Sequence, residues 1–330
     1  MTQKQSIARC LTVVVALVVL LGCHSVATAA QVGEPPEIYS QASVNPPLAQ
    51  AQSVSNDPAE RSPSQANDSQ KSGSGTSSNN LSDQELANLA NDPTAPVTSI
   101  QFRDIYIPDA KVQNGLLNAL DIQPVVPIGP FEWLPLVQLM KITMPLITTT
   151  PEPGSVTGMG DLQLFDLFTI NQSWGRWGLG PILVFPTATN KELGAGKYQA
   201  GPAVGGVCTG INNLIAGAVL QNPISFAGDS NRLSVNQMIV SPALYYNFEG
   251  GWSIGLTDYN WTFNWKDNGA ALIPIGLQVG KVVRIGNQPI SLSVEAGRAV
   301  ARPSDMPDPG WIFGFEITPI FNFHIGPSGK

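Results

Sequence analysis

Asp258-Tyr259-Asn260-Trp261-Thr262-Phe263-Asn264-Trp265-Lys266 alternates without a break. Tyr259, Trp261, Phe263 and Trp265 hold one parity; Asp258, Asn260, Thr262, Asn264 and Lys266 hold the other. Side chains alternate across a β-strand, so the stretch predicts a strand with one aromatic and one polar face. Just upstream, Trp252, Ile254 and Leu256 have the opposite parity. That implies a bulge near residues 255–257 or a change of environment there.

The same texture extends in both directions. Trp311, Phe313, Phe315, Ile317, Phe321 and Phe323 oppose Gly314, Glu316, Thr318 and Asn322. Ile290, Leu292, Val294 and Ala296 oppose Ser291, Ser293 and Glu295, and Ile273, Ile275, Leu277 and Val279 oppose Gly276 and Gln278. Eleven such segments occur, at 117–128, 134–149, 159–170, 177–187, 197–208, 213–227, 233–248, 251–265, 271–285, 289–301 and 311–323. Bacterial single-chain barrels have even strand numbers, so a twelfth strand is expected at 100–107, where Ile100, Phe102 and Ile105 give a weak signal. Ten and fourteen remain open. In 159–170, Asp166 shares a face with Leu162, Leu164 and Phe168, which sets a carboxylate among apolar neighbours.

A soluble β-sandwich also alternates. Here the segments run to 11–16 residues, against a globular mode of about 5–6 and the roughly 9–11 that a tilted membrane strand needs. Charged residues are only 12% of the chain, about half of the roughly 25% usual in soluble domains. No apolar run after the N-terminus approaches the ~18 residues of a membrane helix. The expected fold is therefore all-β, an antiparallel up-and-down transmembrane β-barrel of about 12 strands over residues 96–330.

The N-terminus predicts export. Lys4 and Arg9 precede an apolar stretch from Leu11 to Leu21, so residues 1–30 read as a signal peptide. Two cleavage readings stay open: a lipobox at Leu20-Leu21-Gly22-Cys23 with Cys23 lipidated, or ordinary cleavage after Ala27-Thr28-Ala29. Residues 31–95 are rich in Pro, Ser, Gln and Asn and read as a disordered tether. Ser82 and Glu85 have capping-box spacing, which predicts a short helix over 82–90. Without residues 1–30 the net charge is −9, and −6 of it lies in residues 31–99. The near-neutral remainder gives no basic stripe for nucleic acid.

Catalytic chemistry finds little material. His24 and His324 are the only histidines, at the signal and the tail, so neither a Ser-His-Asp device nor a His/Cys zinc site can be built. Three cysteines at 10, 23 and 208 make no disulfide framework, and Cys208 reads as a small apolar wall residue. Gly194-Ala195-Gly196-Lys197 lacks the phosphate-loop pattern and reads as a loop. No enzyme activity, cofactor or metal is expected. On the polar faces Lys141, Asp258, Asn260, Asn264, Lys266, Gln278, Glu295 and Glu316 are candidate lumen-lining residues. The acids among them are expected to pair with Lys141, Lys266 or Lys197.

A family resemblance rests on the order of several short pieces: Gly158-Met159-Gly160-Asp161, Gly178-Leu179-Gly180-Pro181, Phe185-Pro186-Thr187-Ala188-Thr189, Ser225-Phe226-Ala227-Gly228-Asp229, Asn264-Trp265 and Gly286-Asn287-Gln288-Pro289. In this order they resemble the outer-membrane proteins of the meta-pathway of phenol degradation, also labelled neuromodulin-like transporters. The likeness runs from about Asn91 to Phe323. It departs at Lys141-Ile142-Thr143-Met144-Pro145 and in the seven residues after Phe323. The resemblance implies a barrel in the outer membrane, with outer-membrane lipid and the assembly machinery as partners. It implies uptake of small solutes, aromatic or apolar among them. The residues also admit a non-conducting barrel, filled by side chains or by residues 88–116, with a structural or surface role.

Overall fold

The computed structural model describes residues 82–110, 115–149, 154–304, 306, 308–321 and 325–326. The signal peptide, Cys23, the tether up to residue 81, Phe323 and His324 lie outside the described residues. One antiparallel sheet closes on itself. Its strands are β1 (Thr98–Ala110), β2 (Gly115–Ile128), β3 (Val137–Thr149), β4 (Val156–Met159), β5 (Leu162–Gln172), β6 (Gly175–Phe185), β7 (Lys197–Ile211), β8 (Leu214–Gln221), β9 (Ile224–Gly228), β10 (Gln237–Asn247), β11 (Trp252–Leu256), β12 (Trp261–Asn264), β13 (Ala270–Ile285), β14 (Gln288–Ala301) and β15 (Trp311–Phe321). Three staves are interrupted. β4 and β5 both pair with β3, β8 and β9 both pair with β7, and β11 and β12 lie together between β10 and β13. The fold is thus a closed barrel of twelve staves.

Closure is made by β15 on β1, with Phe102 opposite Ile317 and Arg103 opposite Glu316. The weak signal at 100–107 is a full strand. Closure leaves no free sheet edge, the condition for a sheet to stand in hydrocarbon. On β15, Trp311, Phe313, Phe315 and Ile317 face outward while Ile312, Gly314, Glu316, Thr318 and Ile320 are turned in. At one end three connections have only two residues, 173–174, 212–213 and 286–287, beside one of eight at 129–136; at the other, loops such as 186–196 and 302–310 are longer. Stacked Trp311 and Phe313, with Arg298 over the Trp311 ring, mark the loop end of the wall, and Lys281 over Trp252 marks the turn end. These amphipathic aromatics and snorkelling cations suit two membrane interfaces.

Three details differ from the sequence reading. The parity change upstream of Trp261 is a break in the stave, residues 257–260, and not a one-residue bulge. Within it Tyr259 is buried among Ile105, Ile107 and Ile312, so it faces inward rather than sharing the outward face of Trp261 and Phe263. The chain past Phe321 is tied to the barrel: Ile325 accepts from Gly129 N–H at 2.6 Å and donates to Pro127 O at 3.0 Å. Asp166 does lie on the outer face of β5, opposite Met140, with Oδ1 lacking a hydrogen-bond partner.

The domain boundary also moves. Helix α1 (Asp83–Ala90) begins with a complete capping box, in which the Ser82 side chain accepts from Glu85 N–H and the Glu85 carboxylate accepts from Ser82 N–H. Its Leu86 and Ala87 pack on inward-facing Val282 of β13, and Ala90 packs on Ile320 of β15. Residues 82–97 therefore belong to the packed body, not to the tether.

Candidate functional site

Two-residue periodicity turns one polar side chain per step into the barrel, and six neighbouring staves do so at similar height. β13 supplies Gln278, β14 Ser293 and Glu295, β15 Glu316, β1 Gln101 and Arg103, β2 Asp121 and Gln123, and β3 Lys141, all of them buried. Arg103 is the centre. Its Nε and Nη2 donate to Glu295 Oε1 at 3.1 and 2.5 Å, and its Nη1 donates to Asp258 O at 3.0 Å. Glu295 Oε2 accepts from Asp258 N–H at 2.9 Å. Glu316 accepts from Gln101 Nε2 at 2.5 Å and Thr318 Oγ1 at 2.6 Å. Fully desolvated ion pairs need this density of hydrogen bonds to survive.

The break at 257–260 is what brings Asp258 into the network. It folds inward, where Tyr245 OH donates to Asp258 Oδ1 and Tyr259 OH reaches across to Ile312 O at 3.0 Å. Arg103 also lies over the Tyr259 ring, 5.6 Å from its centre. The opposite half-wall is apolar. Phe165 and Leu167 of β5, Ile182 and Val184 of β6, Ala203 of β7 and Val219 of β8 form one buried cluster with Val125 and Leu139. The interior is therefore two-sided, charged on one wall and greasy on the other.

The turn end is obstructed by residues 82–97. Arg284 Nε holds Asp83 at 2.9 Å and Arg176 Nη1 holds Asp92 at 2.9 Å. Asn247 accepts from Asn91 at 2.6 Å and donates to Asn88 at 2.8 Å, while Gln84 donates to Asn213 at 2.6 Å. These partners come from β6, β10, β13 and the β7–β8 turn, so the segment spans the mouth from wall to wall.

Of the residues singled out from sequence, Lys141, Asp258, Gln278, Glu295 and Glu316 are buried inside the barrel. Asn260 accepts from inward-facing Ser241 at 2.6 Å. Asn264, paired with Gln237 at the end of β12, caps the turn by accepting from Lys266 N–H at 3.0 Å. Lys266 itself is exposed in that turn, at the rim and not in the lumen. The expected lysine partners are replaced by Arg103, which sequence reasoning did not single out. Asp121, Gln101 and Gln123 were also missed. Their signal was present as the polar parity of Ser99, Gln101 and Arg103 against Ile100 and Phe102, but Ile105 and Ile107 on the same parity obscured it.

No catalytic geometry emerges from these contacts. Among the described residues no group of three His, Cys, Asp or Glu side chains is placed to hold a metal ion. The Ala195 N–H, in the loop that superficially suggested phosphate binding, is taken by Asp161 at 2.7 Å.

Fold and interior together define a class: a closed antiparallel barrel of twelve staves with apolar and aromatic side chains on its outer wall and a buried network of charged and amide groups inside. No family model and no curated protein matches this sequence. Among solved structures it is similar to an outer membrane channel from Pseudomonas putida F1, at 13% identity over 68% of this chain and 94% of that one, with a TM-score of 0.49.

Proposed function

We propose that this protein is an outer-membrane channel or transporter for small solutes, held closed by residues 82–97. The observation that carries the reading is the Arg103–Glu295–Asp258 network inside an apolar outer wall. A barrel that needed only filling would be served at least as well by hydrophobic side chains, since replacing a buried ion pair by apolar groups is often neutral or stabilising. A polar wall facing an apolar one suits solutes with a polar group on an apolar or aromatic body. The short-turn end is the periplasmic end by the usual asymmetry of such barrels, which puts α1 on the periplasmic side. In the same reading the protein is exported, meets outer-membrane lipid and the assembly machinery, and catalyses nothing.

Planar-bilayer conductance tests it. The full-length protein should show little current, and removal of residues 82–97 should produce discrete, larger openings. Silence from both proteins would favour a second reading, a non-conducting barrel with a structural or surface role. That reading draws on the inward fold of residues 257–260, where Tyr259 donates to Ile312 O on β15, three staves away.

A further inference from the structure

Ten buried side-chain atoms lack a hydrogen-bond partner among the described residues, and seven of them lie on three adjacent strands. They are Ser99 Oγ and Gln101 Oε1 on β1, both oxygens of Asp121 and both amide atoms of Gln123 on β2, and Lys141 Nζ on β3. Unpartnered polar atoms scattered through an interior signify little; a contiguous set that includes one carboxylate and one ammonium marks a place for a complementary ligand. The register explains why the two charges do not satisfy each other. Asp121 lies opposite Pro145 and Lys141 opposite Val125, so they are offset by four residues along β2, roughly 13 Å of backbone at about 3.3 Å per residue. Gln123 lies between them. A small molecule lying beside Gln123 would meet a charge-assisted hydrogen bond at each end.

The neighbours define the rest of the ligand. Lys141 is flanked by Val125 on β2 and Phe165 on β5, and both belong to the buried apolar cluster. We infer that this stretch of the lumen is a binding site for a small zwitterion with an apolar body, of the chemical class of an α-amino acid with a hydrocarbon side chain. Asp121 takes the ammonium, Lys141 the carboxylate, and the side chain lies on Phe165 and Leu167. The inference rests on the reading of the interior as a solute path and deepens it by naming the class of solute.

Equilibrium dialysis on the full-length protein in lipid vesicles tests it, with leucine, isoamylamine and 4-methylpentanoate as probes of equal apolar body. Leucine should bind saturably and at least tenfold more tightly than either singly charged analogue. Lys141→Met should bring leucine down to the level of isoamylamine, and Asp121→Asn down to that of 4-methylpentanoate. Leucine binding absent, or no tighter than the analogues, overturns the site, and this comparison needs no variant to fold. The two readings fail separately. Current through the protein lacking residues 82–97 without leucine binding removes the site alone, whereas leucine binding without current removes the channel and leaves the site.

Discussion

Gly314 has no side chain for a reason that lies one strand away. A Cβ there would stand 2.3 Å from Glu295 Oε1, the oxygen that pairs with Arg103. Gly314→Ala should push that carboxylate off the guanidinium and lower the unfolding midpoint in denaturant while leaving the register intact. Glu295→Ala should do more, by about 3–5 kcal/mol, because it leaves Arg103 buried without its partner. Denaturant titration followed by the heat-modifiable gel shift ranks the two, and a Glu295→Ala protein as stable as the parent would mean that water reaches Arg103. The outer face gives the complementary prediction. Val294, outward near the middle of β14, lies deep in the wall, whereas Phe263 is one residue from the loop end of β12. Lys at Val294 should cost about 2–4 kcal/mol and Lys at Phe263 about 0–1 kcal/mol, since the penalty falls with distance from the midplane. Equal costs would refute the depth assignment. Alternation alone told which of these side chains face out. It misplaced Tyr259 because parity can be carried only along an unbroken strand, and nothing in the string of residues distinguishes a bulge from the four-residue excursion at 257–260.

Elements behaved differently according to what surrounds them. Strands with an apolar outer face and polar groups inside, such as β14 and β15, carry their own face assignment in the sequence. β1 does not, because its inward side mixes Gln101 and Arg103 with Ile105 and Ile107; only closure demanded it. Helix α1 was legible as a helix through Ser82 and Glu85, since capping is local chemistry. Its docking was not, because the partners Arg284, Asn247 and Asn213 are 129–201 residues away in the chain. The dock is mostly polar, joined by Leu86 and Ala87 on Val282, and polar contacts at a mouth are readily exchanged for water. Ser82→Ala should therefore destabilise α1 by about 0.5–2 kcal/mol and raise the frequency of openings in bilayers without changing their size. A change in unit conductance would instead place Ser82 in the conducting path.

At the scale of the molecule, the barrel stands or falls on one seam. The β15–β1 ladder runs from Thr98 opposite Phe321 to Tyr106 opposite Phe313 and brings Glu316 beside Arg103, so the last staves to meet also complete the inner network. Beyond the ladder, Ile325 reaches the end of β2 through Gly129 and Pro127. Two truncations separate the roles of ladder and latch. Ending the chain after Phe321 removes the two hydrogen bonds at Ile325, each worth about 0.5–1.5 kcal/mol, and leaves every pair of the seam in place. That protein should still assemble, with a lower melting temperature. Ending the chain before Trp311 strips β15 itself, exposes unpaired edges on β14 and β1, and strands backbone groups in hydrocarbon at several kcal/mol each. It should stay out of the outer-membrane fraction and be degraded by added protease. A heat-modifiable, protease-resistant band from that second protein would mean that the barrel can close without β15, and that the order of staves around the wall is not fixed by the β15–β1 pairing.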